Sequence, residues 1–188
     1  MMILRPKRFY LLIAATLTVL FSQNTFSKNS SWEKVAFQRG IKVSKKGEKN
    51  SSILSFKGEV VIHSSIHEVF SVLFDPYHKK EFIQNCTEFD VLEFKGLPNS
   101  STSYVRISNN IPLIDDRDVV LKSRVVFFPK QKTIKVHFKK ASNDTALKPK
   151  RKGIVRIPKL EGFWDLKAIE VNGKHKTKIT NQVTPNPG

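Results

Sequence analysis

Across much of the span from Leu54 to Val183 apolar residues return at every second position, and that period selects strands with one dry and one wet face. Leu54, Phe56, Gly58, Val60 and Ile62 alternate with Ser55, Lys57, Glu59 and Val61. Val119, Leu121, Ser123, Val125 and Phe127 stand opposite Lys122 and Arg124, and Ile134, Val136 and Phe138 alternate with Lys135, His137 and Lys139. Further strands are predicted at 41–46, 87–95, 102–109, 153–158, 163–170 and 176–183. Many are set apart by turn residues: Gly47, Gly96-Leu97-Pro98-Asn99, Pro129-Lys130 and Asn172-Gly173.

One segment breaks the rhythm. Ser65-Ile66-His67-Glu68 has the spacing of a capping box, and Ile66, Val69, Phe70 and Leu73 then form one apolar helical stripe. Asp75-Pro76 ends it, because proline disfavours helical geometry in the residue before it. A second short helix is predicted at about 77–84, and another around Trp32–Phe37, broken by Gly40. The expected class is α+β: strands, a helical pair after the second strand, then a long run of strands.

The N-terminus has its own pattern. Arg5, Lys7 and Arg8 precede a 13-residue apolar run, Phe9 to Phe21, and Thr25-Phe26-Ser27 supplies small residues before a cut at Ser27/Lys28. That order predicts a cleaved secretory signal over 1–27, and the run is short of the roughly 20 residues that span a bilayer. The expected destination is the periplasm or the medium, with residues 28–188 as one domain. A single cysteine, Cys86, excludes an intrachain disulfide, so packing alone must stabilise the exported chain.

The sequence holds 33 Lys and Arg against 16 Asp and Glu, a net charge of +17. Without the three leader cations, 30 against 16 leaves +14. Such a field attracts phospholipid headgroups, other envelope polyanions or nucleic acid. The predicted outer positions of 118–128 and 132–140 carry Lys122, Arg124, Lys135, His137 and Lys139, with Phe128 the one aromatic. That composition suits anionic headgroups over base stacking. The run Lys148-Pro149-Lys150-Arg151-Lys152 reads as a solvated loop.

Catalytic and metal signatures are sparse. There is no glycine-rich phosphate loop, no Gly-x-Ser-x-Gly elbow and no Cys-x-x-Cys pair. His63 and His67 are four apart, but the capping box puts His63 at a strand end and no third ligand is near. No catalytic residue, metal or cofactor is assigned. Pro112-Leu113-Ile114-Asp115-Asp116-Arg117-Asp118 is the densest polar stretch, read as a charged turn or as a polar contact at the mouth of a cavity.

Six pieces carry a family resemblance in order: GIKVSK (40–45), FKGEVVIHSSIHEVFSVLFDPYHKKEF (56–82), VLEF (91–94), YVRISNNIPLIDDRDVVLKSRVVF (104–127), GIVRIPKLEGFWDLKAIE (153–170) and KTKITNQVTPNPG (176–188). From Trp32 to Gly188 the chain resembles the START (steroidogenic acute regulatory protein-related lipid transfer) domain family, in its bacterial START-like branch. Phe82 stands where that family more often has tryptophan. The resemblance implies a helix-grip fold: a curved antiparallel sheet around a C-terminal helix, with a lipid or another hydrophobic ligand in an apolar tunnel between them. The closing Thr184-Pro185-Asn186-Pro187-Gly188 resembles the segment that precedes that helix in relatives, so the lid helix is expected to be missing or truncated and the apolar face to favour self-association.

With that fold, Leu121, Val125, Phe127, Ile134, Val136, Phe138, Trp164 and Leu166 are the candidate wall residues, and Arg106, Arg117 and Arg156 the candidate polar contacts. The expected function is binding of a lipid or other hydrophobic ligand, with an anionic membrane surface as a further partner and nucleic acid disfavoured. Two alternatives are a cyclase- or hydrolase-like enzyme of the same superfamily and a basic protein that binds envelope polyanions.

Overall fold

A computed structural model describes residues 31–48, 52–95, 100–107 and 115–186; the predicted leader, the Pro112–Ile114 stretch and the segment after residue 186, where the lid-helix expectation falls, lie outside them. The strands are β1 (Glu33–Gln38), β2 (Ile41–Gly47), β3 (Leu54–Ile62), β4 (Cys86–Phe94), β5 (Ser100–Ile107), β6 (Asp116–Phe128), β7 (Thr133–Lys140), β8 (Ile154–Arg156), β9 (Lys159–Val171) and β10 (Lys174–Asn186). Nine of them pair antiparallel in the order β1-β2-β3-β10-β9-β7-β6-β5-β4, and β8 pairs parallel with β6. The described helices are short: α1 (Ile66–Phe74), α2 (Lys79–Phe82) and α3 (Asp144–Leu147). The architecture is therefore sheet-dominated, and the α+β expectation holds only in part.

Local chemistry accounts for the elements. At the start of α1, Ser65 Oγ accepts from the Glu68 amide at 3.3 Å, while Glu68 Oε2 accepts from the Ser65 amide at 2.9 Å. This reciprocal pair satisfies two donors that a helix start leaves open. Asp75, before Pro76, is already extended. The β9–β10 hairpin turns through Asn172 (φ 53°) and Gly173 (φ 68°), two consecutive positive-φ residues as a type I′ turn demands. Its ladder runs from Lys174↔Val171 to Asn186↔Lys159.

The same turn geometry corrects one expectation. Residues 32–37 do not start a helix: Glu33–Gln38 is strand β1, joined to β2 through Arg39 (φ 52°) and Gly40 (φ 80°). Six residues are too few to sustain a helix alone, whereas a tight hairpin hands their amides and carbonyls to β2. The helical pair α1–α2 consequently follows the third strand, not the second. It carries the chain from β3 to β4 at the far edge of the sheet.

Register defines two faces. On the inner face, Val69 and Leu73 of α1 are buried against Ile134, Leu166 and Ile179. A second inner cluster joins Val105, Val119 and Ile157 to Ile83, Cys86, Phe89, Leu121 and Leu160. Gly162 marks a close approach on this face. A Cβ there would lie 2.1 Å from the Gln182 carbonyl oxygen and 2.7 Å from Phe138 Cζ. Gly162→Ala is expected to cost about 1–3 kcal/mol, the usual range for overpacking, as a lowered urea midpoint with an unchanged slope.

Candidate functional site

Cross-strand pairing assembles the candidate wall into rows on the inner face. One row runs Val60–Ile179–Leu166–Ile134–Phe127 and the next Gly58–Asn181–Trp164–Val136–Val125. A third runs Phe56–Val183–Gly162–Phe138–Ser123, and Leu121 lies further along β6 with the Val105–Val119 cluster. All eight apolar candidates thus share the face on which α1 packs. Val136, Ile134 and Leu166 are buried; Val125, Phe138 and Trp164 are half-buried; and Phe127 is 36% exposed.

Helix α1 covers only part of this face. Nine residues of helix span about 14 Å, whereas β6, β9 and β10, with 13 residues each, reach about 43 Å. Phe70 and Phe74 extend the apolar surface from the helix side. Their rings lie 5.0 Å apart, and Phe70 meets Phe127 edge-on at 5.7 Å. At the helix end, Lys79 donates its Nζ to the Leu73 carbonyl and lies 4.6 Å from the Phe74 ring centre. Burial pushes its pKa down to about 8.

The three arginines separate. Arg117 has the inner-face parity of β6, and its Nη1 donates to the Asp115 carbonyl at 2.9 Å. Arg106 and Arg156 belong to the opposite, outer face, which corrects their assignment as polar contacts of the apolar wall. Arg106 pairs in register with Asp118, one step from the inner Val105–Val119 pair, and its guanidinium donates to Asp116 Oδ2 at 2.6 Å. Arg156 reaches the outer face through the parallel β6–β8 pairing.

There Arg156 anchors a buried polar network. Its Nε donates to Asp118 Oδ1 at 2.5 Å, Nη1 to Asp144 Oδ2 at 3.0 Å, and Nη2 to the Lys148 carbonyl at 3.0 Å. Tyr104 donates its hydroxyl to Asp118 Oδ2 at 3.1 Å, and burial, then the Asp118 charge, pushes its pKa up to about 12. Burial opposes ionisation of Asp144, yet hydrogen bonds from Arg156 and Lys140 hold its carboxyl below the ordinary value. The network binds α3 and the segment around it to the outer face of β4–β6.

The basic run is part of the same construction. Lys148 reaches Glu88 at 3.1 Å and Asp90 at 2.7 Å, and Arg151 forks onto both Glu88 oxygens at 2.8 and 2.9 Å. Both cations lie over the Tyr104 ring. Lys148 and Arg151 therefore clamp the loop; they do not merely solvate it. Hydrogen bonding from Arg151 is the leading cause that brings the Glu88 carboxyl down to about 2. A depressed carboxylate stabilises the fold above its unfolded pKa near 4.5, and the gain disappears as pH falls toward 2. The stability difference between wild type and Glu88→Gln, read from urea midpoints, is expected to be larger at pH 7 than at pH 3.

No family model matches the chain. It is 26% identical over 157 residues to an uncharacterised protein of Pseudomonas aeruginosa, covering 84% of this chain and 73% of that one. In structure it is similar to a STAR-related lipid transfer protein from Xanthomonas axonopodis, with a TM-score of 0.70 and 24% identity, over 84% of this chain and 82% of that one. It is also similar to human StAR-related lipid transfer protein 5, with a TM-score of 0.60 and 17% identity, over 96% and 82% of the two chains. The sheet order, the helical pair and these likenesses together establish that this chain has the START-like, helix-grip fold.

Proposed function

We propose that this protein binds a lipid or another hydrophobic ligand on the inner face, between the sheet and α1. One observation carries the reading: around the buried residues beneath α1, the inner rows carry partly exposed apolar side chains, Val60, Trp164, Val125, Phe138 and Phe127. A ligand chain laid there gains about 0.8 kcal/mol for each CH₂ removed from water, and a few polar groups orient it. The solved relatives named for lipid transfer share this fold, which supports the ligand class. The test is native mass spectrometry with solvent extraction of protein purified from its own envelope. A co-purifying lipid is expected. Lipid-free protein that also fails to take up a fluorescent fatty-acid or phospholipid probe removes the reading.

The proposed location is outside the cytoplasm, on the signal pattern of residues 1–27. N-terminal sequencing of the exported form is expected to begin near Lys28; an intact Met1 or Met2 overturns cleavage. An anionic membrane surface is the proposed second partner. The charge of +14 left after the leader supports it, and binding should weaken as salt shortens the screening length below about 8 Å.

A further inference from the structure

Away from α3, the outer face holds a groove of about 560 Å³ across β6, β7, β9 and β10. Two cross-strand rows build it: Arg124–His137–Phe163–Gln182 and Lys122–Lys139–Glu161–Thr184. Its charges are unbalanced. Glu161 turns to Lys159 at 3.1 Å, and the neighbouring Asp165 is taken by Lys135 at 3.4 Å. Lys122, Arg124 and Lys139 are exposed, and among the described residues none has a carboxylate within ion-pair distance. Three unpaired cations around a half-buried aromatic floor form a site for a compact anion attached to an apolar body.

We propose that this groove seats the phosphate headgroups of an anionic phospholipid membrane and docks the protein through the outer face of its sheet. The inference rests on the membrane partner proposed above and adds where contact is made. A nucleic acid fits less well: Phe163, the aromatic of the two groove rows, already packs against the His137 ring, and aromatics elsewhere on the sheet carry cations. Trp32 lies under Lys46 and Lys57 at 5.5 and 4.7 Å, Phe128 under Lys135 at 6.0 Å, and Phe163 against the His137 ring at 6.1 Å. Bases would have to displace them to stack. A headgroup needs only the charges.

The test uses phosphatidylcholine vesicles with and without phosphatidylglycerol, and two triple variants of the exported protein. One removes the groove cations (Lys122→Gln, Arg124→Gln, Lys139→Gln). The other removes three exposed lysines elsewhere (Lys130→Gln, Lys150→Gln, Lys152→Gln), so both lose the same charge. The groove variant is expected to bind anionic vesicles on the order of 100-fold more weakly, from three lost surface contacts, and at least about tenfold more weakly than the control variant. Acetylation footprinting of wild type gives a second readout that does not depend on how a variant folds. Bound anionic vesicles should protect Lys122 and Lys139 and leave Lys150 and Lys152 reactive. Equal losses in the two variants, or no protection of Lys122 and Lys139, overturns the groove and leaves the membrane partner standing. Wild type that ignores phosphatidylglycerol overturns both. A groove variant that loses affinity for a single-stranded oligonucleotide but not for vesicles also overturns the proposal.

Discussion

Arg156→Ala is expected to destabilise the fold by about 3–5 kcal/mol, the range for breaking a buried ion pair from one side. The side chains of Arg156 and Asp118 are 3% and 2% exposed, so neither charge can turn to water when its partner is removed. At this chain length each kcal/mol moves the melting temperature by about 2–4 °C, which puts the expected fall between roughly 6 and 20 °C. Asp118→Ala should fall in the same range, because it leaves the buried guanidinium with Asp144 as its remaining carboxylate and removes the acceptor for Tyr104. The double variant should cost clearly less than the sum, since it leaves no unpaired charge at that pair. Additive losses in a thermal double-mutant cycle would mean that the two residues do not act as a unit.

The parts of this fold legible in the sequence are those whose causes are local. Ser65 and Glu68 cap α1 from within four residues, and Asn172-Gly173 turns β9 into β10 with no outside help. The inner-face position of the candidate wall residues was legible for a related reason. Once β6, β7 and β9 are strands, period two places Val125, Ile134, Val136, Trp164 and Leu166 on dry faces, and register only has to bring those faces together. Glu33–Gln38 failed because six residues fit either a helical turn or a strand, and pairing with β2 decides. Arg106 and Arg156 failed because the face of a cation depends on register with a distant strand. Arg156 and Asp118 are 38 residues apart and meet through a parallel pairing that no local pattern announces. Ile179 and Phe74 were missed among the residues of the inner face. The alternation of Thr177, Ile179, Asn181 and Val183 marks the first, but nothing in the helix sequence says that Phe74 lies beside Phe70 near Phe127.

Phe127 is the residue at which the proposed ligand wall can be told from core, and its substitution is the second large effect expected. Its ring is 36% exposed, and its one aromatic contact among the described residues is the edge of Phe70. Leu166, in the same cross-strand row, is wholly buried beneath α1. Leu166→Ala should therefore cost about 2–5 kcal/mol of stability, as deletions in closed cores do. Phe127→Ala should cost much less, because water already reaches the ring and part of the void it leaves. If a lipid covers that ring when bound, the same substitution removes about 1.5–3 kcal/mol of apolar burial from binding, a loss of roughly 10- to 150-fold in affinity. Val125→Ala should follow Phe127→Ala in kind and fall short of it in size, since fewer carbons are removed. Thermal melts and titration with a fluorescent fatty-acid probe read the two quantities separately. Affinity should fall steeply for Phe127→Ala while the melt moves little. If Phe127→Ala instead unfolds the protein as readily as Leu166→Ala, or leaves probe affinity unchanged, the exposed end of the inner face is not where the ligand lies.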